Sequence, residues 1–442
     1  MGNRDKEKAS IVLVILDVLS FFVSIFLSLL IRFMNLDFLR TEVFVNHLVF
    51  LSVVHFFWII LLYLLDFYNP LLLRDRFKLI GHLFVFAAIA SVSGGIYFYL
   101  LPVRYIAPKT ILFIHVLISS AFILTNRILI FQRLLARNLK TRIFVIGDES
   151  DADLLPPEAL SGPHYELVGI CSPQEFDESD GLSRMIKDPK PDLILLGNWI
   201  YENGRASANK LPNLPLGYRY QSLLDFYIDL EKRIPADRIG HLWLLENLSH
   251  NLMLKDYAKR AMDICVATLS MVLLSPFFIV IPILIKLTSP GPVIYKQKRV
   301  GFEEKPFTLY KFRTMRQDAE VDGPKWSSKN DPRVTPIGRL LRRTHLDEIP
   351  QLINILRGDL SFVGPRPERP EFVEELKKHI PYFELRHLVK PGLTGWAQVN
   401  FNYANSIEDS REKFSYDLYY IFNRSLALDV SILMRTFTKF FL

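Results

Sequence analysis

Two adjacent carboxylates, Asp347 and Glu348, follow a pair of arginines in the stretch Arg342-Arg343-Thr-His-Leu-Asp-Glu-Ile-Pro-Gln351. That set suits phosphoryl chemistry. Arginine meets phosphate oxygens in bidentate fashion. One carboxylate can attack phosphorus, as in enzymes that form an aspartyl phosphate. The other can hold Mg²⁺, a hard cation that favours carboxylate and phosphate oxygens. Neighbouring residues on a helix point about 100° apart, so the two would have separate roles. A structural reading is concrete too: Thr344 and Asp347 fit the spacing of a capping box, and Glu348 could complement the helix dipole. His345 reads as structural.

Three further clusters surround this pair in the C-terminal part of the chain. In Phe307-Thr-Leu-Tyr-Lys-Phe-Arg-Thr-Met315, Lys311 and Arg313 alternate with Tyr310 and Phe312. On a strand, period two would set both cations on one face, to hold an anion or simply to be solvated, and both aromatics on the other. In Val363-Gly-Pro-Arg-Pro-Glu368, prolines on both sides of Arg366 fix the backbone near it. In Lys390-Pro-Gly-Leu-Thr-Gly-Trp-Ala-Gln-Val-Asn400, two glycines allow a tight loop near Trp396. That loop could receive a nucleobase or a ribose, or could only turn the chain.

What positions these clusters is a chain of 442 residues, half of them hydrophobic although 22% are charged. The combination implies apolar spans alternating with ordinary soluble domains. Four apolar runs, about Ile11–Ile31, Leu48–Leu65, Leu79–Leu101 and Thr110–Phe131, approach the ~20 residues that cross a bilayer core. The first is too long for a signal h-region and lacks a small-residue cleavage site, so it reads as a span. Arg4, Lys6, Lys8, Arg74, Arg76, Lys78, Arg133, Arg137, Lys140 and Arg142 outweigh Arg32, Arg40, Arg104 and Lys109 on the alternate side. Both ends of the bundle are therefore expected in the cytoplasm. Asp17 and Arg127 fall inside the first and fourth spans, and intramembrane charges usually find partners. They are expected to approach each other, snorkelling to the interface being the alternative. Cys171 and Cys265 lack partners at disulfide or zinc spacing. The net charge of +7 suits anionic headgroups or phosphorylated substrates alike.

A soluble segment follows, about residues 141–251. Arg142–Gly147, Tyr165–Ile170 and Pro191–Gly197 repeat a strand-then-glycine pattern, which suggests a small Rossmann-like α/β unit. A dinucleotide site would need a glycine-rich turn after the first strand. Instead, Asp148-Glu149-Ser150-Asp151-Ala152-Asp153 places carboxylates where phosphate would sit. A structural or regulatory module is the better expectation. A fifth apolar run, Ile264–Ile285, has Pro276 at its centre, Pro282 nearer its end, and Lys259, Arg260 and Lys286 at its flanks. A helix broken at Ser275-Pro276, entering and leaving by one face, fits both proline and charges.

The region from Lys259 to the C-terminus resembles the bacterial sugar transferase family, the polyprenyl-phosphate hexose-1-phosphate transferases. The resemblance lies in Lys259-Arg260-x-x-Asp263, Ser275-Pro276, Ser289-Pro-Gly-Pro292, Lys311-Phe-Arg-Thr-Met315, Asp347-Glu-Ile-Pro-Gln351, Gly364-Pro-Arg-Pro367 and Pro391-Gly-Leu-Thr-Gly-Trp-Ala-Gln398. With four preceding spans and an α/β segment, the chain looks like the large, monotopic-core members. Its α/β segment departs from relatives that keep a glycine-rich turn.

The resemblance implies a fold of four N-terminal transmembrane helices (1–140), a cytoplasmic Rossmann-like domain (141–251) and a mixed catalytic domain (252–442) on a re-entrant helix at about 261–287. It implies that Asp347 is the nucleophile toward the β-phosphorus of a UDP-sugar, expelling UMP, and that polyprenyl phosphate then takes the phosphosugar. Glu348 would support the attack or bind Mg²⁺, and either carboxylate could lie nearer the metal. Lys311, Arg313, Arg342, Arg343 and Arg366 are the candidate phosphate ligands. The expected setting is the cytoplasmic face of a bacterial inner membrane, among its lipids and with no nucleic acid, and a homodimer through the α/β segment is open. A membrane-anchored NAD-dependent sugar dehydratase would share the spans and the α/β unit, but the missing glycine fingerprint argues against it. A non-catalytic scaffold would need no Asp347-Glu348 pair.

Overall fold

The computed structural model describes residues 3–40, 42–65, 67–68, 76–100, 108–136, 140–148, 151, 154–157, 159, 162, 165–172, 190–197, 218–248, 253–317, 319, 331–401 and 406–441. Arg74, Arg104, Arg137, Glu149 and Asp153, used above, lie outside them. The chain forms two compact units, Met1–Glu231 and Lys232–Leu442.

The first unit opens with four helices: α1 (Asn3–Phe33), α2 (Glu42–Leu64), α3 (Arg76–Leu100) and α4 (Pro108–Ala136). Each contains a stretch long and apolar enough to cross a membrane, namely Ile11–Phe33, Glu42–Leu64, Leu79–Tyr99 and Thr110–Leu129. α1 packs along α4 and α2, and α3 packs against both of those. Phe21, Trp58, Phe86 and Ile123 fill the centre, while Phe56, Val92 and Leu117 point outward. Asp17 and Arg127 do meet. Both are fully buried, their side chains form a two-pronged ion pair, and Arg127 Nη2 lies 2.7 Å from Asp17 Oδ2. Beside them Asn126 donates to Ser20 Oγ at 3.0 Å.

The α/β segment of this unit is a four-stranded sheet of β1 (Thr141–Ile146), β2 (Tyr165–Cys171), β3 (Leu193–Leu196) and β4 (Tyr220–Ser222), closed by helix α5 (Leu223–Glu231). Its order is β2-β1-β3-β4 and every pairing is parallel. Strands buried on both faces of such a sheet read as continuous apolar runs, as Ile143–Ile146 and Leu193–Leu196 do. The order reverses between β1 and β3, the place where open parallel sheets bind ligands. Asp151 occupies it. Its side chain is 2% exposed, accepts a hydrogen bond from Asp148 N, and lies so close to Gly147 and Gly197 that neither could carry a Cβ without a clash.

The second unit begins with α6 (His241–Leu248), α7 (Met253–Leu273) and α8 (Phe277–Thr288). The last two are bent by 61° across Leu274–Pro276. The cause is local: Pro276 has no N–H to continue the ladder. Ser275 Oγ turns back to Val272 O at 2.8 Å, and Phe277 N bonds Leu274 O in a tight turn. Leu269, Val272, Leu273, Ile279, Ile283 and Leu287 stay exposed along the bent pair.

Beyond it come the antiparallel hairpin β5 (Ile294–Val300) and β6 (Pro306–Phe312), then α9 (Pro336–Thr344) and α10 (Gln351–Arg357). β7 (Ser361–Val363), α11 (Pro370–His379), β8 (Gly392–Thr394), α12 (Trp396–Asn400), α13 (Ile407–Asn423) and α14 (Leu426–Phe441) follow, with β7 and β8 parallel. Side chains of α7 tie it to this body, among them Asp256, which pairs with Arg424 at 2.7 Å. Lys259 pairs with Asp429 at 2.6 Å, and Arg260 donates to the carbonyls of Ile355 and Leu356, at the electronegative end of α10. Asp263 accepts from Phe362 N at 3.2 Å.

Candidate active site

The carboxylate pair sits on a one-turn 3₁₀ segment, Leu346–Glu348, between α9 and α10. α9 starts from Thr335, whose hydroxyl accepts from Gly338 N, with Pro336 at its first turn. It ends at His345, which takes a left-handed conformation (φ 54°, ψ 16°) that redirects the chain. Thr344 is thus the last residue of α9, and its hydroxyl turns back to Leu340 O at 2.9 Å. The capping-box geometry expected for Thr344 and Asp347 is therefore not formed. Successive side chains on a 3₁₀ turn diverge by about a third of a revolution, so Asp347 and Glu348 face different surroundings.

Glu348 is held between two cations. Lys311, near the end of β6, donates to Oε1 at 2.6 Å, and Arg366 Nη2 lies 3.6 Å from the same oxygen. Burial alone would raise this carboxyl, but Lys311 and Arg366 outweigh it and hold it at about 2. Asp347 is 7% exposed. Burial pushes its carboxyl up to about 6, helped by the charge on Glu348 and opposed by Lys311 and Arg342. One carboxylate is firmly ionised by its partners; its neighbour carries a charge that is less compensated.

The other sequence-derived residues are distributed unevenly. Arg342 Nε donates to Thr314 Oγ1 at 2.9 Å, and Arg343 is exposed. Arg313 lies one residue beyond β6 and is 6% exposed; its guanidinium donates to the carbonyls of Ser289 and Pro290, both at 2.7 Å. It clamps the chain leaving α8. Trp396 is 3% exposed and gives its indole N–H to Lys232 O at 2.8 Å. The Arg435 guanidinium lies 4.8 Å from its ring centroid, and Tyr419 packs beside it. Gly392 and Gly395 press against Gly364 so closely that a Cβ on either would strike its backbone. These glycines serve chain-to-chain packing.

Asn354 was not singled out in the sequence. It is fully buried, accepts from Tyr310 N and donates to Thr308 O, and so fixes α10 against β6. A lone amide inside the apolar run Leu352-Ile-Asn-Ile-Leu356 was the available signal.

Among the described residues no three His, Cys, Asp or Glu side chains gather into a metal cage. Mg²⁺ does not require one, since it is commonly held by one or two carboxylates with phosphate oxygens and water. The Asp347-Glu348 pair fits that mode.

The bacterial sugar transferase family profile matches residues 254–442, which contain the whole of this cluster. An exopolysaccharide production protein PSS of Rhizobium leguminosarum bv. phaseoli is 42% identical over 187 residues, 40% of this chain and 92% of its own length. The chain belongs to the bacterial sugar transferase family. Another relative, the UDP-N-acetylgalactosamine-undecaprenyl-phosphate N-acetylgalactosaminephosphotransferase of Aeromonas hydrophila, is 46% identical over 180 residues, 41% of this chain and 43% of its own. The UDP-glucose:undecaprenyl-phosphate glucose-1-phosphate transferase of Escherichia coli (strain K12) is 44% identical over 185 residues, covering 41% and 40%. The chain thus matches about two-fifths of the length of these last two relatives.

Proposed function

We propose that this protein transfers a hexose-1-phosphate from a UDP-sugar to polyprenyl phosphate, with Asp347 as the nucleophile. The observation that carries the reading is the unequal pair: Glu348 locked by Lys311 and Arg366, and Asp347 beside it with a carboxyl near 6. Relatives named as undecaprenyl-phosphate sugar phosphotransferases support the reaction class.

In the first step an Asp347 oxygen bonds the β-phosphorus as the bond to the bridging oxygen breaks, and UMP leaves with that electron pair. In the second, an oxygen of polyprenyl phosphate bonds the same phosphorus. The Asp347 ester opens, restoring the carboxylate and giving polyprenyl-diphosphate-hexose. Arg366, Arg342 and Lys311 line the approach and meet phosphate oxygens, with Arg343 reaching in from the exposed side. Mg²⁺, held by Asp347 and Glu348 together with phosphate oxygens, would neutralise diphosphate charge.

The bent pair α7–α8 serves as a re-entrant platform on the cytoplasmic side of a bacterial inner membrane. Its exposed apolar side chains support that placement. Such a platform lets one carboxylate meet a water-soluble and a lipid-held substrate in turn. The parallel sheet of the first unit acts as a Rossmann-like structural or dimer-forming module. The relatives are named for glucose and for N-acetylgalactosamine, so the sugar is assigned only as a hexose.

UMP release from a panel of UDP-sugars, with and without polyprenyl phosphate, tests the reading. Asp347→Asn should abolish release while remaining inserted in the membrane. Wild-type release by that variant would overturn it.

A further inference from the structure

Gly364-Pro-Arg-Pro-Glu368 carries two prolines, which have no N–H to donate. The loop must therefore be fixed largely through its carbonyls. At its two ends the donors are backbone: Gly392 N to Pro365 O at 2.9 Å and Val300 N to Glu368 O at 3.0 Å. The two carbonyls between are held by guanidinium groups. Arg386 Nη2 donates to Arg366 O at 2.8 Å, and Arg299 Nη1 donates to Pro367 O at 2.9 Å. Each guanidinium has a carboxylate behind it: Asp417 lies 3.2 Å from Arg386, and Glu368 lies 3.6 Å from Arg299.

We propose that Arg386 and Arg299 are positioning residues, which grip the two carbonyls following the Arg366 Cα and so set the direction of its guanidinium. The inference rests on the reading above, in which Arg366 meets the transferred phosphate. Arg386 and Asp417 are 4% and 3% exposed. An apolar pair of similar volume in such a place is often neutral or stabilising, so stability alone gives little reason for charge there. What an apolar pair cannot supply is a donor for the Arg366 carbonyl. If that peptide rotates, the guanidinium at the end of a long side chain swings furthest. A misplacement of about 1 Å near reacting atoms costs on the order of 10²-fold in rate.

The test uses the full-length protein with Arg386→Leu and Asp417→Leu combined, which leaves no lone buried charge. Its Tm should fall only modestly, because the Arg366 carbonyl loses a donor and Glu368 loses one of its cations but keeps Lys413 and Arg299. Its kcat should fall about 10- to 100-fold, with KM for the UDP-sugar within about threefold. The same pair of changes in an Arg366→Ala background should cost less than about twofold more, because no guanidinium is left to aim. Equal falls in both backgrounds would overturn the inference, since a merely structural role acts regardless of Arg366. If Arg366→Ala turns over like wild type, the role of Arg366 itself fails and the inference falls with it. Should the double variant not fold, Arg299→Lys replaces it: the charge beside Glu368 is kept, the reach to Pro367 O is lost, and the same coupling to Arg366 decides.

Discussion

The ammonium of Lys311 is bonded to Glu348 Oε1 at 2.6 Å and, with Arg366, outweighs at Glu348 the burial that lifts the neighbouring Asp347. Glu348 is held at about 2 while Asp347 is pushed up to about 6. Lys311→Met would leave Glu348 buried, with Arg366 at 3.6 Å as its remaining ion-pair partner. We expect UMP release to fall by about 10²-fold or more, the usual consequence of removing one fixed donor from a charged site. Release within a few-fold of wild type would remove Lys311 from the machinery.

Arg313 gives the opposite expectation. Its two bonds to the carbonyls of Ser289 and Pro290 make it a clamp at the exit of α8. Arg313→Met should lower stability by about 2–4 kcal/mol, from two charge-assisted bonds, with KM for the UDP-sugar little changed. Gly291→Ala should act in the same direction. Gly291 has φ +111°, and a Cβ there would strike the Arg313 guanidinium. Thermal unfolding measured beside KM decides; a raised KM at unchanged Tm would make Arg313 a substrate ligand instead.

These two residues show how far the sequence could be read. Lys311 and Arg313 alternate, and period two placed both on one face. β6 ends at Phe312 and Arg313 N still bonds Val293 O at 2.8 Å, but the two side chains part, Lys311 going to Glu348 and Arg313 to the carbonyls of Ser289 and Pro290. His345 enters the left-handed region without being glycine, and nothing in Thr344-His-Leu-Asp347 signals that the helix ends there. Trp396 is enclosed by Arg435 and Lys232, partners remote in the chain that no local pattern reveals. The four apolar helices, the parallel strands and the break at Pro276 were legible because each is dictated locally, by run length, β-propensity or a missing N–H. The short β4 escaped because its three residues, Tyr220–Ser222, carry no glycine mark and little apolar character.

The Asp17–Arg127 pair joins α1 to α4 with both side chains fully buried. Removing one partner leaves the other as a buried charge without its counter-ion. Asp17→Leu or Arg127→Leu alone should therefore cost about 3–5 kcal/mol, and the double change to leucine should recover most of it. Arg127 also lies 5.4 Å from the Phe67 ring centroid, so recovery from Arg127→Leu is expected to be incomplete. Unfolding in detergent micelles measures the cycle; additive costs would show that the charges do not support each other.

Glu368 links the acid stability of the catalytic unit to the loop that carries Arg366. Burial would raise its carboxyl, but Lys413, Arg386 and Arg299 outweigh it and hold it at about 2, against an ordinary 4.5. A carboxyl depressed in the folded state contributes stability that is complete above its unfolded value and lost as pH falls through its folded one. For Glu368 that window runs from about 4.5 down to about 2, and the contribution at stake is on the order of 3 kcal/mol. Asp417, raised by burial and also by the charge of Glu368, works in the other direction, so wild type and Glu368→Gln must be compared at each pH, the variant relieving part of the rise at Asp417. The variant should be less stable at pH 6, and the gap should close as pH approaches 2. A gap that stays constant across that range would mean that Glu368 keeps its ordinary affinity for protons in the folded protein, and that the cations around it do not act on its charge.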